Sequence, residues 1–420
     1  MGRKIQAVKG TRDLLPPDTA VWAAVERAAR ETFGAYGYSE IRTPILEDTE
    51  LFVRSVGEGT DIVGKEMYTF TDRKGRSLSL RPESTASVAR AFVQHGMHSA
   101  ALPLKVYYIG PHFRYERPQK GRYRQFFQIG AELLGDAGPQ SDGEVILMLV
   151  RFLSVLGFEG LVVQLNTVGD EESREAYRKG LLEYLEPQRE ALSPDSQRRL
   201  GSNPLRILDS KDPADHGVLQ GAPRLEDFLN ASSAEHFDAV CKMLDRHEVA
   251  YSIEPRLVRG LDYYTRTVFE IIAAGLGAQD AIVGGGRYDG LIEELGGQPL
   301  PGIGFAIGED RLIEVLPERF RSEALKASLV AVAAVPPVSA AEAVALAEEL
   351  RSENLPVLAE LADRSVRSAL KRADRAGVKW VVLIGEQERA TDTVTVRDLE
   401  QGSQETLPRG DLATYLRRSP

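Results

Sequence analysis

The sequence predicts an α+β fold: an antiparallel sheet flanked by helices, with a helical insertion, followed by a small α/β domain. Three observations predict it. Residues 105–134 read as two long segments joined by a turn, the pattern of an antiparallel pair. Residues 171–250 change to charged helical stretches, an insertion in a β-rich domain. Beyond residue 326, strand-like and helix-like patterns alternate. At 420 residues the chain exceeds one typical core, so two domains are expected, 1–325 and 326–420, with the insertion at about 171–250.

Taken in order, a first helix begins after Pro16-Pro17-Asp18, with Asp18 as its cap. Trp22, Val25, Ala29 and Phe33 share one face, and Gly34 and Gly37 end the segment. A strand over 38–46 contains Pro44, and proline belongs at an edge or bulge, so this element ends a sheet or lies at an interface. Strands follow over 67–81 around a turn at Lys74-Gly75, then helices over 84–93 and 142–156. In the insertion, helical stretches at 171–185 and 194–200 are broken by Asn203-Pro204 and Asp212-Pro213. Strands resume at Ala250 and run through Ile272. Gly284-Gly285-Gly286 reads as a turn, and 317–326 as a linker. The last domain should carry strands at 328–335, 356–361, 379–384 and 393–398, and helices at 339–353 and 365–376.

The net charge of −10 argues against a surface coated with basic charge, so any RNA contact must come from local patches. Cys241 is the single cysteine, which excludes an intrachain disulfide and fits a reducing cytoplasm. No apolar run reaches membrane-spanning length, and the N-terminus leads into polar sequence rather than a signal core. A cytoplasmic protein with no membrane partner is expected. His95 and His98 have H-x-x-H spacing but no third ligand nearby, so no tightly held metal is expected.

The hairpin at 105–134 carries the most chemistry. On its return strand Phe127, Ile129, Ala131 and Leu133 share an apolar face, and Gln128, Gly130 and Glu132 share the other. On the outgoing strand Phe113 and Tyr115 share one face, Arg114 and Glu116 the other. A solvated outer face is the plain reading of such a pattern. Two features point elsewhere: Gly130 weakens the strand unless something approaches closely, and Arg117, Lys120, Arg122 and Arg124 crowd a tip shaped by Pro118 and Gly121. A basic, structured loop beside a polar floor suits a polyphosphate.

Phe113-Arg114-Tyr115-Glu116, with the loop and return strand, resembles the second signature motif of class II aminoacyl-tRNA synthetases. Pro44 resembles the proline of their first motif, and Gly302-Ile303-Gly304-Phe305-Ala306-Ile307-Gly308-Glu309-Asp310-Arg311-Leu312 resembles the third. The stretches from Leu257 to Glu270, with Arg259-Gly260-Leu261-Asp262-Tyr263-Tyr264 inside it, and from Ala281 to Leu291 resemble the two histidine-specific motifs of histidyl-tRNA synthetases. The resemblance covers nearly the whole chain. It implies a sheet of six or more strands and a homodimer with the Pro44 strand at the interface. It also implies activation of L-histidine by ATP and its transfer to the 3′ end of histidine tRNA.

The same resemblance distributes the roles. Glu132 and Tyr264 can engage the two imidazole nitrogens, one donor and one acceptor when neutral. Glu83, Thr85 and Gln128 fall to the α-amino group, and Ser84 and Tyr263 to the same histidine pocket. Arg114 and Arg259 would take the α-phosphate, and Arg122 and Arg311 the β- and γ-phosphates. Glu116 would position adenine or the loop, and Mg2+ would accompany ATP. From the residues alone, Glu83 reads equally as a helix-start carboxylate, and Tyr263 and Tyr264 as ordinary strand aromatics.

In the last domain Arg364, Arg367, Lys371 and Arg375 are spaced to form one helical stripe, with Arg372 beside it. By resemblance this is the anticodon-binding domain, and the stripe is where tRNA phosphates would dock; a solvated face is the plain alternative. The nearest other function is the histidine-binding regulatory subunit of ATP phosphoribosyltransferase. That reading normally lacks the extra domain and erodes Arg114, Arg259 and Arg311. A nucleotide-dependent oxidoreductase would need a glycine-rich strand–helix turn, and here Asp289 stands where the third glycine belongs.

Overall fold

The apolar stripe of the first helix needs a surface to cover, and the long hairpin supplies one. In the computed structural model, which describes residues 5–57, 60, 62–99, 101–117, 121–202, 204–208, 210, 212–257, 263–273, 281–325 and 330–418, the chain divides into two compact units, residues 1–320 and 321–420.

The first unit is built on an eight-stranded sheet. Its order is Ser39–Glu40, Leu104–Phe113, Gln125–Leu134, Gly302–Gly308, Val283–Arg287, Thr265–Ile272, Val162–Thr167 and Tyr251–Ile253. The six inner strands pair antiparallel, and each edge strand joins its neighbour in parallel. Helix Asp18–Ala35 buries Trp22, Val25, Ala29 and Phe33. Phe33 meets the rings of Tyr107, Phe152 and Phe305 at 5.4–5.7 Å, so one side chain joins the hairpin, the helix Pro139–Val155 and the strand Gly302–Gly308. Each such ring pair adds about 0.5–1.5 kcal/mol beyond area burial.

Several expectations are corrected here. Asp18 is not the cap: Pro17 holds that position, without a side-chain cap bond, and Asp18 is the first helical residue. The segment around Pro44 is two short strands, Ser39–Glu40 and Leu46–Asp48, in different sheets, and Pro44 lies between them. A proline has no N–H for a ladder, so it sits where the chain changes sheets. Leu46–Asp48 joins Ser77–Leu80 and Thr69–Thr71 in a three-stranded sheet. The strand expected from 250 to 272 is interrupted: Tyr251–Ile253 and Thr265–Ile272 are separate, and Tyr263 and Tyr264 precede the second. The stretch read as a linker contains helix Glu318–Leu325.

The glycine triplet is not a turn. Gly284, Gly285 and Gly286 lie inside the buried strand Val283–Arg287. A Cβ at Gly285 would lie 2.6 Å from the Phe269 ring and 2.5 Å from the Gly304 carbonyl. Three glycines in a row mark close approach on both faces of a central strand, which a propensity argument misses.

In the insertion, helices Glu171–Leu185, Pro213–Leu219 and Ala231–Arg246 are capped by Asp170, Asp212 and Asn230, whose side chains accept from Ser173, Ala214 and Ser233 N–H groups. The prolines read as breakers start elements instead: Pro213 is in the first turn of its helix, and Pro204 opens a 3₁₀ turn, Pro204–Ile207.

The second unit is a five-stranded mixed sheet, in the order Val357–Ala359, Val330–Ala334, Trp380–Ile384, Thr393–Asp398 and Gln404–Pro408. The first three strands are parallel and the last two antiparallel. Helices Ala340–Ser352 and Val366–Arg375 start at Ser339 and Ser365, whose hydroxyls accept from Ala341 and Ser368 N–H groups. Strand Gln404–Pro408 and helices Glu386–Thr391 and Leu412–Arg418 complete it, and the sequence reading did not find them.

Candidate active site

The pocket is founded on the return strand Gln125–Leu134. Glu132 is fully buried on the polar face, four residues from Gln128. Across the ladder Glu132 faces Gly304 and Gln128 faces Gly308. A Cβ on Gly304 would collide with the Glu132 carboxylate, so glycine there is what gives the carboxylate its place. Gly130 has a different cause from the one expected. It is the Tyr108 ring of the paired strand that occupies the space beside it.

Hydroxyl groups surround Glu132. Thr85 Oγ1 donates to Oε1 at 2.7 Å, Tyr108 OH lies 3.4 Å from the same oxygen, and Tyr288 OH donates to Oε2. Burial raises the carboxyl pKa to about 8 against the hydrogen bonds from Tyr288 and Thr85, which pull it down. Burial also keeps Tyr108, Tyr263 and Tyr288 neutral, with pKa values well above the ordinary range. Gln128 is buried, and its Oε1 has no hydrogen-bond partner in the structure.

Helix Thr85–Gln94 supplies the next side. Glu83 accepts from the N–H groups of Thr85 at 2.7 Å and Ala86 at 3.0 Å, so the helix-start role read from the residues is realised. Burial raises its pKa, opposed by those N–H groups and by Arg114. The Ser84 hydroxyl is occupied by His112 Nε2 at 2.7 Å. His112 Nδ1 lies 3.0 Å from the Gly110 carbonyl. Burial, then Arg81 and Arg114, hold His112 well below the usual imidazole range. The neutral ring therefore donates to Gly110 and accepts from Ser84.

Tyr263 and Tyr264 lie tilted against each other at 4.8 Å between ring centroids, and Tyr263 meets Tyr288 edge-on at 5.6 Å. The Tyr264 ring fills the place a Cβ on Gly286 would take, 2.8 Å from its nearest atom. Thus Glu83, Thr85, Glu132, Tyr263 and Tyr264 come together, with Tyr108 and Tyr288 as further members. Neither was singled out from the sequence, although Tyr288 lies in the stretch Ala281–Leu291 that already drew attention.

The arginines stand at the mouth of the hairpin. The outgoing strand ends at Phe113, so the alternation does not extend to Arg114–Glu116, and Tyr115 is half exposed, its ring against Tyr68 and Arg124. Arg114 Nε donates to Pro82 O at 3.0 Å, and its guanidinium lies 5.5 Å from the Phe126 ring centroid. Arg122 pairs with Glu116 at 3.4 Å. Gly121 approaches the backbone of Arg311, which brings the third-motif arginine to the hairpin tip. Arg259 lies outside the described residues, as do Pro118 and Lys120.

A buried polar cluster stands behind the pocket. Asp142 pairs with Arg287 and accepts from Thr267 Oγ1 and, at 2.8 Å, from His236 Nε2. Arg266 donates to His236 Nδ1 at 3.0 Å, which leaves Nε2–H to face Asp142. Burial opposes the charge on Asp142, but His236 and Arg287 outweigh it and its pKa is lowered. The sequence carries no periodic signal for this cluster, whose members are spread from Asp142 to Arg287.

In the second unit Arg367, Lys371 and Arg375 are exposed on helix Val366–Arg375, while Ala369 and Ala373 face the sheet. Arg364 precedes the helix rather than riding on it, and with Arg372 it clamps Glu360 at 3.2 and 3.1 Å.

A mostly antiparallel sheet with motif arginines beside a polar floor defines a class II aminoacyl-tRNA synthetase. The family model for histidyl-tRNA synthetase matches residues 10–170 and 205–312, and that for an anticodon binding domain matches 330–419. The chain belongs to the histidyl-tRNA synthetase family. It is 49% identical over 433 residues to a histidine–tRNA ligase of Alkalilimnicola ehrlichii, covering 100% of this chain and 97% of that one. It is 47% identical to the Synechococcus sp. enzyme of the same name, with 98% of each chain covered. Among solved structures, apo histidyl-tRNA synthetase of S. aureus superposes with a TM-score of 0.81 at 35% identity, over 99% of this chain and 100% of that one.

Proposed function

We propose that the Glu132 pocket selects L-histidine and that the hairpin arginines hold ATP while the two are joined as histidyl-adenylate. The chain is a histidine–tRNA ligase, and the second product of its cycle is histidyl-tRNA. The observation that carries the pocket assignment is a fully buried carboxylate ringed by hydroxyl groups, on the same strand face as the unsatisfied Oε1 of Gln128. Glu132 and Tyr264 address the two imidazole nitrogens, while Glu83, Thr85 and Gln128 receive the α-ammonium. Ser84 acts through His112, and Tyr263 lines the pocket.

The substrate carboxylate is already ionised, so attack on the α-phosphorus needs no general base. Catalysis is then positioning and charge stabilisation. Arg114 and Arg259 take the α-phosphate, Arg122 and Arg311 the β- and γ-phosphates, and Glu116 releases Arg122 as the phosphates arrive. Among the described residues no group of three or more His, Cys, Asp or Glu is placed to hold a metal. Mg2+ would accompany ATP and would supply charge neutralisation to the phosphates held by Arg114, Arg122, Arg259 and Arg311. The adenylate then passes to the terminal adenosine hydroxyl of histidine tRNA, and AMP leaves.

The domains are taken as catalytic, 1–325, and anticodon-binding, 326–420, with Arg364, Arg367, Lys371 and Arg375 meeting tRNA phosphates. A homodimer joined near Pro44 and a cytoplasmic location complete the reading; no described helix is long and apolar enough to cross a membrane. Histidine-dependent ATP–pyrophosphate exchange tests it. Exchange with histidine and with no other amino acid is expected, and an Arg259→Ala variant should lose exchange far more than histidine binding. Histidine binding without exchange in the unaltered protein would overturn the reading.

A further inference from the structure

Residues 8–12 lie outside the pocket, yet they grip both sides of the phosphate-facing apparatus. A turn closed by Thr11 N–H and Thr11 Oγ1, both donating to Val8 O, presents Gly10 and Arg12 to the base of the hairpin tip. Gly10 O accepts from Arg124 N–H at 2.7 Å, and Arg124 O accepts from Arg114 N–H at 3.0 Å. Gly10 has φ +90°, and a Cβ there would lie 2.7 Å from the Arg124 side chain. The position requires glycine on both counts. The Arg124 guanidinium lies 3.9 Å from the Tyr115 ring centroid, which extends the grip across the loop.

Arg12 holds the other side. Its Nη2 donates to Asp310 Oδ1 at 2.7 Å, and Asp310 Oδ2 accepts from Phe127 N–H at 2.8 Å. Asp310 immediately precedes Arg311. The Arg12 guanidinium also lies 4.2 Å from the Tyr123 ring centroid, next to Arg122, and 5.8 Å from Trp22. The strap thus reaches Arg114 through its hydrogen-bonded partner Arg124, and touches Tyr123 and Asp310, the chain neighbours of Arg122 and Arg311. One buried carboxylate, Asp310, ties it to the return strand, and among the described residues none of its contacts reaches Glu132 or the pocket tyrosines Tyr108, Tyr263, Tyr264 and Tyr288.

We propose that residues 8–12 are a positioning strap for ATP: Gly10 and Arg12 set the places from which Arg114, Arg122 and Arg311 project, and they touch no substrate themselves. The inference rests on the reading that these arginines bind the triphosphate. It predicts a split: the strap governs the KM for ATP and leaves histidine affinity alone, because it meets the pocket's own strand at Phe127, five residues from Glu132.

The test uses the full chain, with ATP–pyrophosphate exchange for ATP and calorimetry without ATP for histidine. Arg12→Ala and Asp310→Asn should each raise the KM for ATP about tenfold, the size of one lost charge-assisted hydrogen bond. The Kd for histidine should stay within about twofold, below the few-tenths resolution of a single contact. Arg12→Lys should recover part of the loss. An unchanged KM for ATP in Arg12→Ala overturns the strap. So does a parallel loss of histidine binding, which would mean that the contacts serve only general stability. Arg122→Ala separates the two layers of inference. If it too leaves the KM for ATP unchanged, the phosphate assignment falls; if it raises it while Arg12→Ala does not, the strap alone falls.

Discussion

Glu132 sits where ionisation is costly, and the recognition of histidine proposed for it needs a charge. A carboxyl whose pKa is raised from 4.5 to about 8 makes its full contribution to stability below the unfolded value, and loses it as pH climbs through the folded one. Glu132→Gln removes the charge and keeps the shape. The variant should therefore melt a few degrees above the parent at pH 9, with the gap closing at pH 5, as thermal denaturation at the two values will measure. Its histidine affinity should fall about a hundredfold or more, because a buried polar partner of the imidazole is lost. In the parent, an imidazole N–H favours the ionised carboxylate. Histidine binding near neutral pH should then release a proton, visible as buffer-dependent binding heat. Gly304→Ala puts a methyl group where the Glu132 carboxylate lies, and should abolish histidine binding while the protein remains folded.

The elements around the pocket are locked by the Asp142–Arg287 pair. Arg287 also donates to the Asp136 and Gly138 carbonyls, and His236 brings in helix Ala231–Arg246 of the insertion. Removing one partner of a fully buried pair leaves a naked charge. Arg287→Ala or Asp142→Asn should cost about 3–5 kcal/mol of unfolding free energy in denaturant titrations, and the double replacement Asp142→Leu with Arg287→Met should cost less than either. Since Tyr288 follows Arg287 directly and donates to Glu132, the same single variants should weaken histidine binding. The insertion is thereby fastened to the sheet through His236, which meets Asp142 and Arg266, not only through the chain that joins them.

At the scale of the molecule, the proposed catalytic pocket and the proposed tRNA surface fall in different units, 1–320 and 321–420. A chain of net charge −10 needs a local cationic surface for tRNA. Arg367→Glu with Lys371→Glu should raise the Kd for histidine tRNA by an order of magnitude or more, and should flatten its dependence on salt by about two counterions. Filter binding across a salt series reads both; an unaltered slope would remove the stripe from the interface. Near Pro44, Ile45 and Leu46 are both exposed. Sedimentation should find two chains together, and Ile45→Asp should shift the protein toward monomers.

Much of this was written in local patterns. The hairpin is legible because its side chains alternate between an apolar and a polar face over ten residues per strand, although the return strand proves buried on both, and the first helix because Trp22, Val25, Ala29 and Phe33 repeat at the period of a helix. Glu83, Thr85 and Glu132 are legible through motifs that are contiguous in the chain. The glycine strand at 283–287 was not, since three glycines have no side chains to show a face. Their reason, the Phe269 ring, the Gly304 carbonyl and Tyr264, lies on other strands. Nor could the sequence show that Tyr288, Tyr108 and Thr85 share one carboxylate, or that Asp142 meets an arginine 145 residues away. By itself the sequence determined where most of the helices and strands run and which motif residues lie together in the chain, because those depend on spacing along it. Only the tertiary structure decided who satisfies whom, because burial makes each polar group find a partner wherever the fold brings one.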